Sequence, residues 1–329
     1  LVLLACSALS CGEPTSPAHS AETAGPSSVG PSLALAGNSW VRRARIPTAR
    51  IAHAAGLLDN AAGEPVLYVF GGNDPIEEFP VRTIDAYNYV TNRWTTKASS
   101  FHAFHPNGVG TIGGKLYISG GLVNTGDGFA SLATLYAYDP VRDVLTRKAD
   151  MPRVASEGVA GVIGSRLYVL AGTEADQSDA FSRRFYRYDP ATDKWATLPS
   201  CPRFHRLGAG AVSKGKFYVV GGMGSNVGLD VYDPATNKWR ALAAPPVPLV
   251  EAAAVATGGK LYVMGPGKSV YAYDPATNRW KTLASMLTGR SQLAAAPLVT
   301  SSGNRKILAV GGFNLSDSTS ASDNELYTP

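Results

Sequence analysis

The chain has 329 residues, of which 45% are apolar and 17% are charged, and its formal net charge is +5. Its 35 glycines and 22 prolines exceed the usual share but are too few for a low-complexity chain, and glycine does not recur at every third position as in collagen. The composition therefore excludes a disordered or collagen-like chain. It favours many short strands and tight turns in one repeat domain or two ordinary domains.

The N-terminal segment is short and apolar and contains two of the three cysteines. Residues 1–11 are too few to span a bilayer but fit the end of a signal peptide. Cys6 and Cys11 each follow small residues, as the lipid-modified cysteine of a bacterial lipoprotein does; the alternative is an ordinary signal peptide with incidental cysteines. Residues 12–38 are rich in Pro, Ser and Ala and predict a disordered tether. We therefore expect an exported protein that is periplasmic, outer-membrane-tethered or secreted.

A repeat fills the rest of the chain. Nearly identical Tyr-Asp-Pro-Ala-Thr segments, each ending in Trp seven residues after the Tyr, begin at Tyr188, Tyr232 and Tyr273, and weaker copies begin at Tyr87 and Tyr138. A β-rich run that ends in a glycine pair, or a variant of it, precedes each copy. From Gly72 to Gly312 these runs cover 240 residues in five intervals, a mean period of 48 residues.

Each repeat predicts four antiparallel strands. The first strand is small and apolar, the second ends in the glycine pair, the third ends at the tyrosine and the fourth carries the tryptophan. Asp-Pro followed by Asn or Asp is typical of the tight turn that would join the last two strands. The tryptophan offers a large face for packing against the neighbouring repeat.

The glycine pair, the tyrosine and the tryptophan at this spacing resemble the kelch family of β-propellers over residues 39–329. The resemblance implies an all-β fold of four-stranded antiparallel blades. Three positions depart from the family pattern, namely Ala171, Pro266 and Leu145.

The two ends of the chain are expected to share one blade. The sixth repeat stops at Tyr327 without a fourth strand, whereas Trp40 precedes Arg50 by ten residues, as Trp280 precedes Arg290. We therefore predict a six-bladed ring in which residues 39–45 complete the last blade, which removes two exposed strand edges.

The connections between the second and third strands vary in length, from 7 to 17 residues between the glycine-pair position and the tyrosine. Antiparallel order places them at the same end of the propeller as the connections from each fourth strand to the next first strand. Variable loops on a rigid scaffold are common binding sites. We therefore expect this face to bind a protein or glycan ligand, including one with anionic groups.

Charged residues recur in the connections from fourth to first strands. Aligned on the second strand, one position per repeat holds Arg50, His102, Arg153, Arg203, Val247 and Arg290. Three or four residues later come His53, His105, Arg206, Glu157 and Glu251. If these side chains line the mouth of the central channel, they would bind carboxylate, phosphate or sulfate groups. The alternative is that each arginine bonds to loop carbonyls and is structural.

Two enzymes with this type of propeller offer an alternative function. A sialic-acid mutarotase would use Glu157 or Glu251 as acid or base beside an arginine clamp, although no motif identifies that enzyme. A copper-radical oxidase is disfavoured. Cys201 holds in its repeat the position that Met151 holds in the preceding repeat, and it is therefore expected to be a small buried hydrophobic residue. We expect no cofactor and a monomer. Acidic loops such as residues 73–86 and 313–326, with Asp85 and Glu325, argue against nucleic acid.

Overall fold

The computed structural model describes residues 37–74, 80–99, 101, 103–174, 181–224, 228–317, 319–320 and 322–329. Cys6, Cys11 and His102 lie outside these residues. All secondary-structure elements of the described part are β-strands. Six of the sheets that they form have four antiparallel strands each. Within it, no helix is long and apolar enough to cross a membrane. The predicted all-β fold with six four-stranded blades is confirmed.

The first three blades follow one another along the chain. Blade 1 consists of Ala54–Asp59, Pro65–Phe70, Thr83–Asn88 and Arg93–Ala98. Blade 2 consists of Gly108–Ile112, Lys115–Ser119, Leu135–Asp139 and Val144–Lys148, and a hairpin of Leu122–Asn124 and Phe129–Ser131 stands in its long loop. Blade 3 consists of Val159–Ile163, Arg166–Leu170, Phe185–Asp189 and Lys194–Leu198.

The next three blades complete the ring. Blade 4 consists of Ala209–Ser213, Lys216–Val220, Leu229–Asp233 and Lys238–Leu242. Blade 5 consists of Ala253–Thr257, Lys260–Met264, Val270–Asp274 and Arg279–Thr282. Blade 6 consists of Ala294–Val299, Arg305–Val310, Asn324–Thr328 and, from the start of the chain, Ser39–Arg43. A small sheet of Arg290–Ser291, Phe313–Asn314 and Thr319–Ser320 lies beside blade 6.

The predicted closure of the ring is confirmed. Strand Ser39–Arg43 pairs with Asn324–Thr328, and Trp40 lies opposite Tyr327 just as Trp94 lies opposite Tyr87 in blade 1. The indole of Trp40 donates a hydrogen bond to the carbonyl of Ala284 in blade 5, 2.9 Å away. Both chain ends therefore contribute to one sheet and tie it to its neighbour.

A belt of hydrogen bonds repeats in every blade. The hydroxyl of the third-strand tyrosine donates to an Asn or Asp oxygen at 2.6–2.8 Å. Each acceptor residue has a left-handed backbone, with φ between 52° and 57°, which Asn and Asp tolerate better than other side chains. The pairs are Tyr87–Asn92, Tyr138–Asp143, Tyr188–Asp193, Tyr232–Asn237, Tyr273–Asn278 and Tyr327–Asn38. We call these six pairs, with the tryptophans opposite the tyrosines, the outer belt.

The hydrophobic core lies between neighbouring blades. One cluster, for example, joins Val255 and Met264 of blade 5 to Ile307 and Tyr327 of blade 6. At the glycine pair the next blade approaches so closely that a Cβ on Gly221, whose φ is 67°, would collide with the carbonyl oxygen of Leu249. The first strands surround a channel that is lined mostly by Ala, Gly and Val around a cavity of about 300 Å³. Polar chemistry is therefore concentrated at the ends of the channel.

Candidate functional site

Six residues, one per blade, form a closed ring of backbone hydrogen bonds at one end of the channel. Each donates its N–H to the carbonyl of its counterpart in the preceding blade, at 2.7–3.2 Å. All six have a left-handed backbone, with φ between 46° and 57°, which is uncommon for residues other than glycine. The ring consists of Ala52, His105, Glu157, Leu207, Glu251 and Gln292. We call it the mouth ring, because it surrounds the channel at the face formed by the variable loops.

The mouth ring and His53 line a cavity of about 110 Å³. This volume is below the roughly 300–1,000 Å³ of sites that enclose a whole small molecule. Its polar side chains are those of His53, His105, Glu157, Glu251 and Gln292. The mouth therefore suits one small polar group rather than a complete sugar ring.

Glu157 is held by charged and neutral donors. Its carboxylate accepts hydrogen bonds from the guanidinium of Arg206 at 2.6 Å and from the hydroxyl of Thr173 at 2.7 Å. Only 8% of Glu157 is exposed, so the guanidinium balances a charge that burial alone would disfavour. Glu157 and Arg206, both predicted site residues, are thus brought together at the mouth.

Glu251, Gln292 and His53 line the mouth, and the side chain of each contains a hydrogen-bond acceptor. The amide nitrogen of Gln292 donates to Glu251 at 2.7 Å, and the amide oxygen of Gln292 is buried without a partner among the described residues. The Nε2 atom of His53 lies 3.1 Å from the carbonyl of Val310 and must donate to it. The Nδ1 atom of His53 is then a lone-pair acceptor, and it too is buried without a described partner.

Both described histidines at the mouth are uncharged at neutral pH. Burial, together with the positive charges of Arg50 and Arg290, lowers the pKa of His53 to about 3. Burial also lowers the pKa of His105, and it does so against the opposing charges of Glu157 and Glu251. The mouth therefore contains neutral imidazoles beside carboxylates.

Arg50 and Arg290 do not line the mouth, contrary to the prediction from the sequence. Both are completely buried inside their own blades. Arg50 donates to Asp85 and to the carbonyl of Gly71, and Arg290 donates to the carbonyls of Gly311 and Asp323 and lies 3.5 Å from Glu325. Asp85 and Glu325 are consequently interior partners of these arginines and not part of an acidic rim.

Two more predicted arginines are also engaged by acidic side chains. Arg203 donates to both oxygens of the buried Asp230, at 2.7 and 2.8 Å. Arg153 donates to Glu174 at 3.0 Å, and its side chain is 58% exposed. Among the described contacts, none of these arginines forms a clamp beside Glu157 or Glu251. These four arginines therefore do not form the predicted anion site among the described residues, and the acid and arginine that meet at the mouth are Glu157 and Arg206.

Sequence alignment missed Gln292 and misaligned the mouth ring. The ring residue follows the arginine position by two residues in blade 1, from Arg50 to Ala52, but by four in blade 3, from Arg153 to Glu157. Counting a fixed number of residues from the arginine position therefore compared residues that are not equivalent in the structure. The recurring left-handed backbone identifies the register, and no residue type in the sequence marks it.

Two aromatic clusters adjoin the mouth. In blade 2, the ring of Phe104 contacts Phe129 at 5.5 Å and His105 at 5.8 Å, and Phe129 is 59% exposed. Between blades 3 and 4, the ring of Phe181 lies 5.9 Å from that of Phe204 and 5.3 Å below the guanidinium carbon of Arg206. The exposed Met223 pairs with Arg206 beside this second cluster.

A buried group of potential metal ligands lies inside blade 4. The ligand atoms of Cys201, His205 and Asp230 are within 4.8 Å of one another. They do not fit a metal well. The carboxylate of Asp230 already accepts a hydrogen bond from Arg203, and the two nitrogens of His205 face acceptors, namely Asp230 and the carbonyl of Gly221. Burial raises the pKa of the Cys201 thiol to about 12. Cys201 is buried, as expected from its place in the repeat.

Four-stranded blades, a glycine pair at the blade contact and a Tyr–Trp belt define a kelch-repeat β-propeller. The chain belongs to the Attractin/LZTR1 beta-propeller family, whose sequence model matches residues 32–232.

Curated relatives match over parts of their length. The chain is 31% identical to Kelch-like protein 24 of Rattus norvegicus over 119 residues, which are 36% of this chain and 17% of that protein. It is 25% identical to Beta-scruin of Limulus polyphemus over 149 residues, which are 44% of this chain and 16% of that protein. The solved structure of YjhT superimposes with a TM-score of 0.69 at 14% identity, covering 85% of this chain and 95% of that one. The likeness to YjhT shows a common fold.

Proposed function

We propose that the protein is a binding module that recognises another protein on the face formed by the connections from fourth to first strands and from second to third strands. The observation that carries this proposal is the pair of aromatic clusters next to the mouth, one around Phe129 on blade 2 and one around Phe181 and Phe204 between blades 3 and 4. Aromatic residues, Met and Arg are the side chains that are enriched at protein interfaces and their hot spots.

The arrangement of these clusters supports a protein surface over a small ligand. Phe129 and Met223 expose 59% and 42% of their surfaces on different blades, so one ligand that covers both must be broad. The loop of blade 4 between its second and third strands is short, which leaves Met223 accessible beside the mouth. A protein partner can cover both clusters at once, whereas the cavity of the mouth holds one small group.

The proposal is tested by photocrosslinking followed by affinity measurement. A photoreactive amino acid replaces Met223 in one version of the protein and Val141 in another. Val141 is 82% exposed and lies in the turn between the third and fourth strands of blade 2, at the opposite end of the propeller. We expect one protein of the native compartment to crosslink from position 223 and not from position 141.

The captured protein is then purified and its affinity measured for three variants. Phe129→Ala and Met223→Ala should each weaken binding tenfold or more, the loss of about 1.4 kcal/mol or more that marks a hot spot. Val141→Ala should bind as the unchanged protein does. Equal affinities for all three variants would refute the proposed face.

We also propose that the propeller acts outside the cytoplasm, held by a lipid on Cys6 or Cys11. The support is the apolar segment that precedes a cysteine and the Pro-, Ser- and Ala-rich stretch that follows it. Mass spectrometry of the protein from its native cells, compared with Cys6→Ser and Cys11→Ser, tests this. A lipid-mass increment should vanish in one variant; an unmodified wild-type protein in the cytoplasm would refute it.

A further inference from the structure

The mouth combines a negative charge with acceptor atoms that have no donor. Glu157 is balanced by Arg206, but the one side-chain hydrogen bond to Glu251 among the described residues comes from the neutral amide of Gln292. The described side chains at the mouth therefore carry one net negative charge. An incompletely buried carboxylate without a cation is a favourable place for one.

The acceptors at the mouth belong to three consecutive blades. They are the carboxylate of Glu251 in blade 5, the amide oxygen of Gln292 in blade 6 and Nδ1 of His53 in blade 1. The last two atoms are buried and unpartnered within the described structure, and His53 as a whole is only 8% exposed. Buried polar atoms without partners are rare in folded proteins, and a bound donor would satisfy each of these two acceptors.

We propose that the mouth binds the ammonium group of a lysine side chain presented by the protein partner. An ammonium has three N–H donors and no acceptor, which matches a lining that offers three acceptors and one negative charge. Its three donors equal the three acceptors in number, whereas a planar guanidinium has five donors.

This inference rests on the proposed function only for the origin of the lysine. The site itself can be probed without a partner. The aromatic clusters beside His105 and Arg206 explain why the ammonium would arrive on a protein surface, since they provide apolar contact area next to the polar mouth.

The first experiment titrates the full chain, labelled with ¹⁵N-histidine, with methylammonium at pH 7. We expect a saturable change in the ¹⁵N shift of His53 Nδ1. Tetramethylammonium has the same charge but no N–H donor, and the acetate anion has the opposite charge, so neither should give a saturable change. A response that does not saturate, or one that tetramethylammonium reproduces, would overturn the site.

Matched variants sharpen this experiment. Glu251→Gln removes the charge and should weaken methylammonium binding tenfold or more. Glu64→Gln is the control, because Glu64 lies next to the turn between the first two strands of blade 1, at the opposite end of the propeller. It should bind methylammonium as the unchanged protein does. Equal binding by Glu251→Gln and the wild-type protein would overturn the role of Glu251.

The second experiment measures the affinity of the crosslinked partner. Glu251→Gln, and separately acetylation of the partner's lysines, should each weaken binding tenfold or more. If Phe129→Ala and Met223→Ala weaken binding but Glu251→Gln does not, the proposed function stands and the lysine inference fails. If methylammonium binds but the affinity of the partner is unchanged by Glu251→Gln, the mouth binds a free amine and the partner's lysine is ruled out.

Discussion

The outer belt and the mouth ring are both repeated six times, but they differ in what is repeated. In the belt, the backbone and the side chains recur together, so that every blade has a tyrosine bonded to Asn or Asp. In the mouth ring only the backbone recurs, and the six side chains range from Ala52 to Glu157. A structural requirement is the same in every blade, whereas a ligand is not. The difference therefore separates the scaffold from the candidate binding site.

The arginines that pair with acidic residues inside the blades belong with the scaffold. Arg50, Arg203 and Arg290 each lie beside an acidic residue that stands two positions before the third-strand tyrosine, as Asp85 stands before Tyr87. The pairing lies within one blade in each case. The arginines that recur in the sequence therefore have a structural role. The positions that follow them differ from blade to blade and form the mouth.

The largest effect is expected from breaking the belt where the ring closes. Trp40→Ala removes a side chain that is only 8% exposed, its contact with Tyr327 at 4.9 Å and its hydrogen bond to Ala284. We expect the free energy of unfolding to fall by about 3–5 kcal/mol. Urea denaturation measures this. The control is Leu145→Ala in blade 2, where a partly buried leucine replaces the tryptophan, and it should cost less than about 2 kcal/mol. A loss for Trp40→Ala no larger than that for Leu145→Ala would contradict the expected role of Trp40 in closing the ring.

A similar or slightly smaller loss is expected from Arg50→Met. The substitution leaves the carboxylate of Asp85 buried without its guanidinium partner, which typically costs about 3–5 kcal/mol. The double variant Arg50→Met with Asp85→Leu should recover most of the loss, because no buried charge remains. A double-mutant cycle by urea denaturation checks this. Lack of recovery would show that packing, rather than charge, makes the pair important.

The mouth should make stability depend on pH through His53. The pKa of this histidine is about 3 in the folded chain and near 6.5 in the unfolded chain, so the unfolded state binds the additional proton between these values. Stability contributed by neutral His53 is therefore complete above pH 6.5 and is lost as the pH falls towards 3, by an amount on the order of a few kcal/mol.

Thermal unfolding from pH 7 to pH 4 tests this dependence. His53→Gln keeps a donor for the carbonyl of Val310 but does not titrate, so its melting temperature should decline less steeply with falling pH. Parallel curves for the two proteins would contradict the low pKa of His53.

The sequence predicted the belt and the fold because their residues recur in register. Tyr327 lacked a tryptophan partner and Trp40 lacked a tyrosine, and this mismatch, together with the ten-residue spacing from Trp40 to Arg50, located the closing strand. The mouth could not be predicted in the same way. Its register depends on a left-handed backbone that six different residues adopt, and its charge depends on which arginines turn inward to meet Asp85, Asp230 and Glu325. These are properties of packing that single residue types do not reveal.

The smallest effect on stability is expected at the mouth itself, from Glu251→Gln. The glutamine keeps an oxygen that can accept from Gln292, and the substitution removes a charge that no described cation balances. We expect the free energy of unfolding to change by no more than about 0.5 kcal/mol, as for substitutions away from packed features. Urea denaturation of the same preparations used for the binding titrations measures this. A loss of 2 kcal/mol or more would place Glu251 with the scaffold, and its effect on binding could then be an effect of folding. If stability is retained while methylammonium binding is lost, Glu251 contributes to ligand binding and not to folding. A residue of the mouth ring would then differ from the residues of the outer belt, which contribute to stability.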